Sequence, residues 1–189
     1  MIFCSALHLR GGSYPQDILN VAAHPDLNND NKSDESLFFL LFNKILFYWF
    51  PPAEGYVVCP MWPIPDSSIF SIDFVIEHDQ RPFLLIEIKP PSIFRSNSGR
   101  VAAIAQVMQR LDEIGPNNQY ADRLYAISAI GKRWTACYAL QGDGSRSGQP
   151  ANLRSADPEC WNPDITSDAS WTALQSVVET IKGYVAQDR

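Results

Sequence analysis

The sequence predicts an α/β fold in which a sheet of about four to five strands is flanked by helices. Three observations carry that expectation. Runs rich in β-branched and aromatic residues recur at Gly55–Trp62, Phe70–Glu77, Pro82–Lys89, Leu124–Ile130 and Trp134–Leu140. Helical periodicity fills the stretches before Trp49, from Ser98 to Ile114 and from Asp168 to Ala186. Turn and breaker signals punctuate the two, at Pro51-Pro52, Pro90-Pro91, Gly115-Pro116 and Gly131-Lys132.

In chain order, Pro15–Val21 reads as a short helix, followed by a polar loop over Asn28–Lys32. Asp26, Asn28, Asp30 and Asp34 imitate the start of a calcium-binding loop, but Asn31 replaces the turn glycine and Leu37 stands where the bidentate glutamate belongs. Calcium binding is therefore not expected. Ser33 or Asp34 caps the next helix, whose apolar residues wrap all round and predict burial on most sides. Glu35 falls in its first turn, as a carboxylate favoured by the helix dipole or as a metal-site acid. Ser98 is expected to cap the helix that follows the central strands, with Ile104, Val107, Met108, Leu111 and Ile114 as its apolar stripe. Arg100, Gln106, Gln109, Arg110 and Glu113 are placed on its other faces. From Gln141 to Asp164 the chain is rich in Gly, Ser, Pro and Asp, the composition of an irregular surface excursion. Its GDGSRSG fragment leads to Pro150 rather than into a helix, so it is a poor phosphate cradle. The last helix buries Trp171, Leu174, Val178, Ile181 and Val185.

With 189 residues, 46% hydrophobic and 19% charged, the chain has the balance of one globular domain. Within it, residues 1–33 are expected as an extension, 34–140 as the core, 141–165 as an irregular loop and 166–189 as a terminal helix. A net charge of −6 argues against nonspecific coating of nucleic acid, though not against a local basic groove. Cys4, Cys59, Cys137 and Cys160 lie far apart without metal-finger spacing, which fits free thiols in a reducing compartment. The start has no basic leader, and the longest apolar stretch, Leu37–Phe50, falls short of the ~20 residues of a spanning helix. An intracellular protein, nuclear or cytoplasmic and without a membrane partner, is expected.

The chemistry concentrates in FSIDFVIEHDQRPFLLIEIKPP, residues 70–91. Asp73, Glu87 and Lys89 are set into otherwise apolar strands, where charge is costly unless paired or used to hold a cation. Residues two apart share a strand face, so Glu87 and Lys89 point the same way. Asp73 joins them if an odd-length turn, Asp79–Arg81, sets it opposite Glu87. The bare acid-x-lysine pattern has no weight, since about 0.5 occurrences are expected by chance. A decoy, Asp30-Asn31-Lys32, sits in a polar loop; the apolar setting distinguishes the strand version.

This order, a helix with Glu35, a strand, a strand with Asp73, a strand with Glu87-Ile88-Lys89, a helix with Gln106 and a further strand, resembles the PD-(D/E)XK nuclease superfamily over roughly residues 34–140. EIKPP followed by AIAQVMQRLDEIG is similar to fungal members of that class. The resemblance implies a mixed central sheet with an α-β-β-β-α-β core. It also implies one or two Mg²⁺ (or Mn²⁺) ions held by Asp73 and Glu87, with Glu35 as a further ligand, and Lys89 and Gln106 at the reacting centre. The reaction implied is hydrolysis of phosphodiester bonds, in DNA before RNA. Two departures accompany it. The literal Pro-Asp pair is Pro65-Asp66, in a turn, and Arg110 stands four residues after Gln106 where some members have tyrosine.

Arg95, Arg100, Arg110, Lys132 and Arg133 are the cations expected to grip phosphates, against the alternative of scattered solvated charge. Two rival readings remain. One keeps the fold without catalysis, as a module binding nucleic acid or protein around an internal ion cluster. The other is a scaffold that uses the aromatic helix and Trp134, Trp161 and Trp171 to bind a partner or a second copy as a homodimer. His8, His24 and His78 fall in loops or at element ends, with no nucleophile beside them.

Overall fold

The structure, a computed structural model, describes residues 12–64, 71–114, 123–140 and 157–187. Pro65-Asp66, Gly115-Pro116, the GDGSRSG fragment, Cys4 and His8 lie outside the described residues. Helices α1 (Gln16–Ala22) and α2 (Ser36–Trp49) precede β1 (Tyr56–Pro63), β2 (Ser71–His78) and β3 (Arg81–Lys89). Helix α3 (Asn97–Ile114), strands β4 (Arg123–Ile130) and β5 (Arg133–Leu140), and helix α4 (Asp168–Gln187) complete the order. The sheet has five strands in sequence order, β1-β2-β3-β4-β5. It is mixed: β3 and β4 run parallel, joined through α3, and the other neighbours are antiparallel. The α/β class and the flanked mixed sheet expected from the sequence are what the chain adopts.

One face of the sheet packs Phe74, Ile76, Leu84, Ile86 and Ile88 against Phe38, Leu41, Ile45, Trp171 and Val178 from α2 and α4. The other packs Val75, Leu85 and Ala126 against Val107, Leu111 and Ile114 of α3. Trp134, Trp161 and Trp171 are all buried, so none of them offers a scaffold surface. Leu40 and Phe47 of α2 do remain exposed. Ser36–Glu54, 19 residues counted through the turn after α2, is long and apolar enough to cross a membrane by composition. It extends past Phe50, the end expected from the sequence, and its apolar character reflects burial of α2 against the sheet.

The β2–β3 connection departs from expectation in a way that preserves its result. The turn is two residues, Asp79 and Gln80, both at positive φ (51° and 63°), not the odd-length turn. Such a turn alone would set Asp73 one residue out of step with Glu87. A bulge corrects it. The pairs His78↔Arg81 and Glu77↔Pro82 are followed by Ile76↔Leu84, leaving Phe83 as the extra residue. Beyond it Val75 faces Leu85 and Phe74 faces Ile86, which sets Asp73 on the register of Glu87.

The helix caps also shift. The N-cap of α2 is Glu35, without a side-chain cap bond, rather than Ser33 or Asp34; Asp34, one residue earlier, accepts the Ser36 N–H through Oδ1 at 2.9 Å. For α3 the cap is Ser96, not Ser98: Ser96 Oγ accepts from the Gly99 N–H at 2.9 Å. The predicted stripe of α3 is buried or half-buried, but the buried face is wider and includes Arg100 and Arg110.

Candidate functional site

Asp73, Glu87 and Lys89 meet on the α3 side of the sheet. Past the Phe74↔Ile86 pair, Asp73 Oδ2 turns to β3 and accepts the Ile88 N–H at 2.6 Å. That bond fixes the carboxylate beside Glu87 and Lys89. Glu87 is 1% exposed and Asp73 8%, both inside the domain. Lys89, the last residue of β3, brings Nζ to 3.7 Å from Glu87 Oε2.

Helix α3 closes the site from above. Gln106 Nε2 donates to Glu87 Oε2 at 2.7 Å. Arg110, one turn later on the same helix face, donates through Nε to Glu87 Oε1 at 3.0 Å and through Nη1 to Glu113 at 2.7 Å. Glu87 therefore accepts hydrogen bonds from two donors on α3 and has the Lys89 charge of β3 beside it, which is how a buried carboxylate is stabilised.

The electrostatics follow from burial and crowding. Burial pushes Asp73 up to about 6, opposed by the Ile88 hydrogen bond and the Lys89 charge. Burial, then the Asp73 charge, pushes Glu87 up to about 7, against the pull of Lys89 and Arg110. For Arg110, burial works against the charge, but its bonds to Glu113 and Glu87 prevail and hold its pKa above the ordinary value.

Glu35, immediately before α2 and half-buried, lies close enough for its charge to raise Asp73 further. Among the described residues no group of three or more His, Cys, Asp or Glu side chains is gathered as a metal cage. The carboxylates brought together are thus the Asp73–Glu87 pair. That pair fits Mg²⁺, a hard ion that takes one or two carboxylates and keeps several waters. Ser128 adds to the fit. It is the parallel partner of Glu87, 1% exposed, and among the described residues its Oγ has no hydrogen-bond partner. A buried hydroxyl in that position suits a site that holds an ordered oxygen ligand.

The phosphate-gripping set divides. Arg110 belongs to the acidic centre, not to a surface groove. Arg100 is also buried; it donates to the Phe94 carbonyl and stands 5.6 Å from the Phe94 ring centre. Arg95, Lys132 and Arg133 surround the end of β3 that carries Lys89. Arg95 lies in the turn after β3, and Gly131, at the head of the β4–β5 turn, donates its N–H to the Lys89 carbonyl at 2.8 Å. Sequence reasoning missed Ser128 and the inward role of Arg110. A lone serine inside LYAISAI is a readable signal, whereas an arginine within a helical stripe is not.

No protein-family model and no curated protein matches the chain. Among solved structures it is similar to the type IIG restriction endonuclease BpuSI, at 12% identity and a TM-score of 0.45. The alignment covers 84% of this chain and 17% of that enzyme, so the chain spans well under two thirds of the protein it matches.

Proposed function

We propose that the chain is a metal-dependent nuclease of the PD-(D/E)XK type that hydrolyses phosphodiester bonds, in DNA before RNA. The observation that carries this reading is the convergence of Asp73, Glu87 and Lys89 on one buried-edge patch, with Gln106 bonded to Glu87. Asp73 and Glu87 would hold Mg²⁺ or Mn²⁺, with Glu35 nearby as a further acid. The ion would polarise the scissile phosphoryl group and supply an activated water. Lys89, partly exposed and facing two carboxylates, orients the attacking water and offsets charge that builds on the phosphate. Gln106 holds Glu87 in place. Intracellular localisation remains part of the proposal.

In a cleavage assay with Mg²⁺ or Mn²⁺ on single- and double-stranded substrates, Lys89→Ala and Asp73→Asn each abolish cleavage without unfolding the protein. Full cleavage by either variant overturns the assignment.

A second reading is favoured by one specific observation. Arg110 Nε lies 3.0 Å from Glu87 Oε1, so Glu87 has an internal counter-charge. On that reading the chain is an inactive nuclease-fold module that binds nucleic acid or a protein. Calorimetric titration with Mg²⁺ and Mn²⁺ separates the two, because the module takes up no ion.

A further inference from the structure

The calcium-loop imitation before α2 has a different use in the folded chain. Its side-chain oxygens lie on the cations around the Lys89 end of β3. Asp30 holds Arg133 by both oxygens, at 3.3 and 3.4 Å, while that guanidinium also lies over Phe94, 4.5 Å from the ring centre. Asn31 Oδ1 accepts from Arg95 at 2.8 Å, and Asn28 Oδ1 accepts from Lys132 at 2.7 Å. The Lys32 carbonyl accepts the Ser92 N–H at 3.2 Å, which ties the loop to the turn after β3. Lys32 is itself turned to Asp26 at 3.0 Å, so the loop presents oxygens to these cations.

The set has the form of a phosphate contact: a bidentate pair on one arginine and single oxygens on another arginine and a lysine. We infer that Arg95, Lys132 and Arg133 form a docking surface for a nucleic-acid backbone, and that the Asn28–Lys32 loop is its resting occupant, displaced when the backbone binds. The inference rests on the nuclease reading only for the identity of the polyanion. The loop contacts are exposed ion pairs and amide bonds, individually worth little in water, so phosphates can replace them at small cost. Lys132 keeps a second partner in Asp164 after release. The gain from displacement therefore falls mainly on Arg95 and Arg133.

The test uses the full chain in EDTA with a short fluorescein-labelled DNA duplex, so that no cleavage is required. Asn28→Ala with Asp30→Ala and Asn31→Ala is expected to bind DNA about tenfold more tightly, with a salt slope steeper by about 2 for two phosphate contacts. Adding Arg95→Ala and Arg133→Ala to that variant cancels the gain. Unchanged affinity and slope in the loop variant, or a gain that survives loss of the arginines, overturns the inference. A second measurement needs no substitution. Amide exchange at Ser92, whose N–H donates to the Lys32 carbonyl, is expected to speed up when DNA is added to the unaltered protein, and unchanged or slower exchange overturns the displacement. If Mg²⁺-dependent cleavage is absent while these outcomes hold, the nuclease reading fails and the docking surface stands. Cleavage present with a silent loop variant gives the reverse.

Discussion

Arg110 is the residue on which the two proposed readings differ. Its Nε bond to Glu87 and Nη1 bond to Glu113 place a cation beside the carboxylate that would hold a metal on the nuclease reading. Removing one partner of a buried ion pair leaves the other charge uncompensated, a loss of about 3–5 kcal/mol. Lys89 and Gln106 still serve Glu87, so Arg110→Met is expected to cost about 3 kcal/mol in urea unfolding at neutral pH. Adding Glu87→Gln to that variant should recover most of the loss, and an additive double variant would show that the pair is not coupled. At this scale the sequence was readable where a charge broke an apolar strand, hence Asp73, Glu87 and Lys89. Arg95, Lys132 and Arg133 were readable as cations, but not their partners, which lie 64, 104 and 103 residues away. No local pattern encodes a contact across such a separation.

At the scale of the element, the β2–β3 hairpin shows how two local irregularities combine into one register. Asp79 and Gln80 both adopt left-handed backbone, as a two-residue hairpin turn requires, though neither is glycine. A residue with a Cβ pays roughly 1–2 kcal/mol in that region. Gln80→Gly is therefore expected to stabilise the protein by about 1 kcal/mol, less some entropy lost from the unfolded chain, and to raise the urea midpoint. An unchanged or lower midpoint would mean that the Gln80 side chain offsets its own strain. The strands themselves were legible, with β1 to β5 found within a residue or so of their expected ends. The parity of the turn was not, because β-branched and aromatic runs do not reveal which residue will be the extra one. Phe83 and Leu84 both face the α2–α4 core, a break in alternation that looks in the sequence like a continuous apolar run. The site depends on that bulge, since without it Asp73 would register against Ile86.

For the whole molecule, the sheet keeps its charged pair on its α3 side, and this sets how stability responds to pH and metal. Asp73 and Glu87 titrate near 6 and 7 in the fold against ordinary values of 3.8 and 4.5. Both are raised, so the folded state holds protons that the unfolded chain has released. Their contribution is complete below about pH 4 and is lost as pH climbs through about 7. Asp164, paired with Lys132 and lowered from its ordinary value, has the opposite sign, and its contribution fades as pH falls below about 4. The windows do not overlap, so the arm above pH 4 reports on the site. In EDTA, the unfolding midpoint is expected to fall between pH 4 and pH 7, and the double variant Asp73→Asn with Glu87→Gln should flatten that fall. On the proposed reading Mg²⁺ would bind the deprotonated pair, so the same ion concentration should raise the midpoint more at pH 8 than at pH 5. A slope unaltered by the double variant would place the titration elsewhere in the chain. A slope that flattens without any rise on adding Mg²⁺ or Mn²⁺ would leave Arg110 and Lys89 as the permanent counter-charges of an ion cluster that never exchanges them for a metal.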